Sequence, residues 1–232
     1  MKRLSIRTIV VGIIIVLGLP ASWTGAAGPS PSVPMCKSPY KKKSVTAKTL
    51  QALVRSHERW VEYRGNPDAK RLELCQADLS RAALAGANLE QADLEGTVLR
   101  QAKLPQASLA QASLAGADLA KSVLIDSNLS GADLRYARLT GANLLRAIGD
   151  EAALFGAVLI DAKVKGASFE RAQLQGADLT SADLTDSNFV EAYFYGATLK
   201  DAILVNADLT GADLRRTILT NANLSRANLE RT

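Results

Sequence analysis

The chain of 232 residues holds one histidine, His57, and two cysteines, Cys36 and Cys75. General acid–base catalysis at neutral pH most often sets a histidine beside a carboxylate, and metal sites cluster three or four such ligands. Neither arrangement is written here. His57 lies three residues from Val54 and three from Trp60, on an apolar stripe, and reads as a core-face residue with a hydrogen-bonded ring. No glycine loop of the phosphate-cradling kind occurs, and the cysteines lack metal-ligand spacing. Aspartates are plentiful, but Asp78, Asp93, Asp118 and Asp133 each stand directly before a leucine. Their regularity reports a repeat, in the outward slot beside a turn, rather than a pair of catalytic carboxylates. No enzyme activity, cofactor or metal is expected.

Two cysteines fit an oxidising compartment, with Cys36 in the neck of the chain and Cys75 at the first repeat. A disulfide stapling the two regions together is expected; two unpaired thiols are the other reading. The N-terminus agrees with export. Lys2, Arg3 and Arg7 precede an apolar run from Ile9 to Leu19, and Gly25, Ala26 and Ala27 follow. That is the layout of a secretory signal peptide over residues 1–27, with a run too short to span a bilayer comfortably. The expected location is periplasmic or extracellular; a membrane anchor through an uncleaved segment is the alternative.

Residues 28–44 carry Pro29, Pro31, Pro34, Pro39 and Lys41-Lys42-Lys43, a composition of extended linkers. From 45 to 71 the pattern turns helical: Leu50, Leu53, Val54, His57, Trp60 and Val61 follow spacings of three and four. Ser44 or Thr46 supplies an N-cap, and Gly65 with Pro67 the stop. A lone amphipathic helix is marginal, so this one is expected to cap the open end of the array that follows.

That array runs over residues 72–232. From Leu74 to Leu229 every fifth residue is apolar in 31 of 32 positions, Gly149 being the gap. Two residues earlier stands Ala in 26 of 31 positions, otherwise Ser or Thr. Ala and Leu favour helices locally, yet a step of five rotates about 140° around a helix and scatters the leucines over every side. In an extended segment, residues two apart share a face, so each Ala-x-Leu points inward and the next two residues must turn the chain. Ten glycines, Gly86 to Gly211, all fall two residues after the central position, where a type II turn needs φ > 0. Pro105 falls one residue after Leu104, where its fixed φ suits the first turn position.

Stepping by twenty from Asn88 meets Ser108, Asn128, Ile148, Ser168, Asn188, Asp208 and Asn228. Seven of these eight are small polar residues, Ile148 being the exception, which favours four pentads per coil and predicts a side-chain ladder up one face. About eight coils at ~4.8 Å each would stand about 38 Å tall. The fold class is therefore an all-β solenoid preceded by a short capping α-helix. Runs such as Ala87-Asn88-Leu89 and Ala177-Asp178-Leu179-Thr180-Ser181-Ala182-Asp183-Leu184 resemble the pentapeptide-repeat family. The resemblance implies a right-handed quadrilateral β-helix and leaves function open.

The net charge of +5 divides unevenly: 10 Lys/Arg against 3 Asp/Glu over residues 36–71, but 15 against 20 over residues 72–232. A basic neck sits on a mildly acidic body. Some members of the resembled family mimic duplex DNA and bind topoisomerases. That alternative needs a strongly acidic, cytoplasmic rod, so nucleic-acid mimicry is the lesser expectation. The favoured one is a non-enzymatic structural or protein-binding module of the cell envelope. Aromatics make up only 5% of the chain, and Phe155, Tyr193 and Tyr195 share one side at steps of twenty, with Tyr136 at the neighbouring corner. They form the candidate interaction surface. Val123, Ile125 and Leu145 make a weaker column. Membrane contact is expected only if the N-terminal segment stays uncleaved, and an end-to-end homodimer through the last coil is expected from Leu229. At Gly149 the missing leucine calls for Phe169, Phe189 or Ile148 to fill the void.

Overall fold

The computed structural model describes residues 36–63 and 68–232. Residues 1–27, expected from sequence to be a signal peptide, residues 28–35 of the proline-rich stretch, and Gly65 with Pro67 lie outside them. Helix α1 (Ala47–Glu62) begins at Thr46, whose hydroxyl accepts the Thr49 N–H at 3.2 Å; of the two proposed N-caps, Thr46 takes the place. Leu50, Val54 and His57 are its buried residues, a narrower stripe than the spacing suggests, since Leu53, Trp60 and Val61 are only half-buried. Leu50 and Val54 join the same apolar cluster as Leu72, Leu74 and Leu79.

Residues 72–232 form a four-sided parallel coil. Each bridge from Glu73↔Asp93 to Asp208↔Asn228 joins residues twenty apart, so four pentads close one turn. Every side contributes a single bridging residue, with a β-turn between sides. The backbone hydrogen bonds of one pentad show why the pattern repeats. Leu74 N–H donates to the Asp93 carbonyl (2.8 Å), and Gln76 N–H to the Glu95 carbonyl (2.7 Å), one turn on. Ala77 N–H closes the turn onto the Leu74 carbonyl (2.9 Å), and Asp78 N–H reaches back to the Lys43 carbonyl (2.9 Å). The fifth slot is that of Cys75, and its counterpart in the next pentad, the Ser80 N–H, is met by Asp78 Oδ1 (2.9 Å). The same local cap recurs at Asn88, Asp93, Asn128, Asp178, Asp208 and elsewhere. Asp and Asn precede the leucines because the backbone group two residues on needs an acceptor.

This corrects one sequence expectation. The polar run from Asn88 to Asn228 has the predicted period, but its side chains mostly bond within their own turn. Asn188 Nδ2 to Ser168 Oγ, at 3.4 Å, is one cross-coil contact along it. The ladder is a backbone ladder.

The inward leucines are buried throughout the middle of the array, most with no exposed surface. At roughly 1.5–3 kcal/mol per buried leucine, this column dominates the stability. The glycines Gly86 to Gly211 take φ between +61° and +69°, as the turn demands. The same corner also places non-glycine residues there, among them Gln106, Lys121, Tyr136 and Arg171, with φ near +55° to +60°. Glycine therefore relieves strain at these corners without being required. From Gln76 to Gly211 each corner N–H bonds to the next coil and supports this geometry, while the last-coil corners Arg216, Asn221, Arg226 and Arg231 take the same φ without such a bond.

At Gly149 the gap is closed from one coil away. A Cβ built on Gly149 would stand 2.2 Å from Phe169 Cε1 and 2.6 Å from Cδ1. The Phe169 ring thus occupies the space a leucine would fill, and it stacks on Phe189 at 5.7 Å. Ile148 does not swing inward; it stays 46% exposed.

Candidate interaction surface

The chemistry-bearing residues come first. His57 is fully buried, and its Nδ1 accepts the Leu72 N–H at 3.0 Å. Burial pushes its pKa below the ordinary value; the Glu90 backbone pulls the other way, and the charge of Arg71 lowers it further. Stacked on Trp60 at 5.5 Å, the ring is a neutral structural joint between α1 and the array. Cys36 and Cys75 are disulfide-bonded, with Cα atoms 5.8 Å apart. Among the described residues, no three His, Cys, Asp or Glu side chains stand together as a metal site.

The outward aromatics are arranged by the coil. Because corresponding residues recur every twenty, Glu95, Ala115, Arg135, Phe155, Gln175, Tyr195 and Arg215 form one straight column. Beside it, the corner column reads Gly96, Gly116, Tyr136, Gly156, Gly176, Gly196 and Arg216. Tyr136 is 63% exposed, Tyr193 46%, Phe155 43% and Tyr195 39%. Tyr136 lies across Gly156, where an added Cβ would meet its ring at 2.8 Å, and it packs edge-on against Phe155 at 5.4 Å. Tyr195 lies two coils on, under the guanidinium groups of Arg215 (5.9 Å) and Arg216 (5.4 Å). The structure therefore joins Tyr136 to Phe155 directly, and sets Tyr193 and Tyr195 apart as a second step on the same face. The second apolar column, Val123, Ile125 and Leu145, is half-buried and offers less.

The sequence reading missed what flanks these rings. Gly116, Gly176 and Gly196 have open space where a side chain would be. Charge is also sorted along the face. Asp93 and Glu95 stand at one end; burial, then the charges of Asp93 and Asp133, hold the Glu95 carboxyl above its usual range. At the other end Arg215 grips Asp213 through both oxygens (2.8 and 2.7 Å), and the side-chain bond, seconded by the Arg215 N–H, drops the Asp213 pKa to about 2. Arg216 makes no ion pair among the described residues. Extending the steps of twenty from the aromatics to the glycines and charged residues would have revealed both columns.

The family model for pentapeptide repeats matches residues 77–114, 107–148, 152–189 and 192–231, in eight copies. The chain belongs to the pentapeptide-repeat family. Its fold is accordingly the right-handed quadrilateral β-helix of these proteins. The chain is similar to HetL from Nostoc sp. strain PCC 7120, a protein involved in regulating heterocyst differentiation. Identity is 28%, covering 74% of this chain and 92% of that one, with a TM-score of 0.39. With Rfr23 from Cyanothece 51142 the identity is 30%, over 37% of this chain and 58% of that one, TM-score 0.37. A pentapeptide-repeat protein of the Arabidopsis thaliana thylakoid lumen shows 29% identity over 49% and 68%, TM-score 0.22. No curated protein matches the chain. Members of the family are in general structural or protein-binding.

Proposed function

We propose that this pentapeptide-repeat protein is an exported, non-enzymatic binding or scaffolding module of the cell envelope. Its working surface is the face bearing Tyr136, Phe155, Tyr193 and Tyr195. The observation that carries the reading is the concentration of four exposed aromatic rings on one side of a chain that is only 5% aromatic. Tyr and Arg together are the residue types that anchor protein interfaces. The basic, apolar N-terminal sequence and the paired cysteines support export.

In this reading residues 1–27 are removed; of the stretch 28–44 expected as a linker, residues 36–44 are instead docked on the first coil by the Cys36–Cys75 disulfide and the Ser44↔Asp78 bridge. Residues 45–71, with α1, then cap a β-helix of about eight coils over residues 72–232. The last coil, with Leu229 42% exposed, offers a second, end-to-end contact between copies. Against the DNA-mimic reading stands the weak charge of residues 72–232, 15 cations against 20 anions.

The test compares envelope retention of wild type with Phe155→Ser/Tyr195→Ser, both expressed with the native N-terminus. The double variant is expected to fold normally and to be washed from the envelope fraction. Equal retention removes this face from consideration. Exported protein whose N-terminal residue is Met1 overturns the processing step.

A further inference from the structure

The aromatic face is complementary to itself. A two-fold axis lying in the face, perpendicular to the rod and passing at Phe155, brings each column onto the same column of a second copy running the opposite way. The column through Phe155 then sets Phe155 on Phe155, Tyr195 on Ala115, and Arg215 on Glu95. The corner column sets Tyr136 on the open Gly176, and Arg216 on Gly96 beside the same acidic end. Apart from Phe155, which meets its own copy on the axis, each protruding ring meets a small residue: Tyr193 falls on Ser113, and Gly176 has nothing within 4 Å of a built Cβ. The two ends match in charge as well. Glu95 lacks an ion pair among the described residues, and Asp93 beside it reaches Arg71 only at 4.0 Å. At the other end Arg216 is equally unpaired while Arg215 stays tied to Asp213, so the ends keep opposite net charge even though Asp213 falls on Asp93.

We propose that the occupant of this face is a second copy of the chain, docked side by side and antiparallel about Phe155. The inference rests on the reading of this face as a binding surface and names its partner. The coils recur at about 4.8 Å, so a shift by one coil would set Tyr195 against Arg135 and Arg215 against Ala115, and lose the charge match. One side of a slender rod buries less than the roughly 1,600 Å² of a standard interface, which points to a dimer that forms in the micromolar range.

The experiment measures association of the exported, disulfide-bonded chain by sedimentation velocity from micromolar to millimolar concentration. Wild type is expected to pass from monomer to dimer. Glu95→Arg alone, and Arg215→Glu/Arg216→Glu alone, should each weaken association at least tenfold, while an equimolar mixture of the two should recover a heterodimer. Gly176→Gln fills the hole for Tyr136 and should also abolish pairing. It keeps the fold, because Gln101, Gln106 and Gln111 already occupy equivalent corners at φ near +56° to +59°. A wild type that stays monomeric at millimolar concentration overturns the proposal. So does dimerisation undisturbed by Glu95→Arg, which would place the contact at the last coil instead, and so does a mixture that fails to pair. If wild type is monomeric but Phe155→Ser/Tyr195→Ser still leaves the envelope, the face serves a different partner. If that variant is also retained, the binding-surface reading itself fails.

Discussion

Replacing Gly149 by leucine restores the repeat's own consensus and should nonetheless destabilise the protein. The built Cβ already lies 2.2, 2.6 and 2.9 Å from three carbons of Phe169, and three further carbons would have to enter the same space. Overpacking of this kind costs about 3 kcal/mol. Phe169→Leu alone errs in the opposite direction. It withdraws the ring from beneath Gly149, leaves a void, and breaks the stack on Phe189, for a loss of about 2 kcal/mol. Taken independently the two changes sum to about 5 kcal/mol. Together they rebuild the leucine-on-leucine column found at Leu134–Leu154, so the double variant should fall within about 1 kcal/mol of wild type. The coupling energy is therefore about −4 kcal/mol. Urea unfolding followed by circular dichroism on all four members of the cycle measures it. Additivity within about 0.5 kcal/mol would refute the claim that Phe169 fills the missing position.

Three further outcomes are expected. Leu134→Asp buries a charge in a side that is wholly enclosed and should prevent soluble folding, whereas Thr180→Ala, on the half-buried outer surface, should lower stability by about 1 kcal/mol or less; comparable solubility and melting temperatures would contradict the inward assignment. Cys36→Ser/Cys75→Ser opens a cross-link spanning 39 residues, for a loss of about 4 kcal/mol, read as a lower melting temperature that matches reduced wild type. His57 has a folded pKa below the ordinary 6.5 of a histidine, so the unfolded chain binds its proton first as pH falls. Stability at the α1 end is full above that value and declines as pH drops from 6.5 toward the folded pKa; hydrogen exchange in α1 should quicken there, and His57→Gln should flatten the response.

Much of this architecture is legible without coordinates, because the repeat leaves the chain few choices. Leucines five apart cannot share a helix face, Ala-x-Leu can share an extended one, and glycines in a single slot locate the corner. The step of twenty was likewise readable from Asn88 to Asn228, although the reason for it was not. The polar side chains serve their own turns, while the coils are held together by backbone N–H and carbonyl groups that no residue identity reveals. Non-glycine residues at positive φ were equally invisible, since residues such as Tyr136 and Arg171 carry no local preference for that conformation. The closed coil decided it, by requiring a corner after every pentad, and up to Gly211 the next coil supplies the corner N–H with a partner. The order Tyr136, Phe155, Tyr195 along one side followed from counting. That Tyr136 lies over Gly156, that open glycines flank it, and that Phe169 closes the gap at Gly149 are facts of packing across turns twenty residues apart. Period is a property of the chain; which side chain enters which neighbour's space belongs to the folded stack.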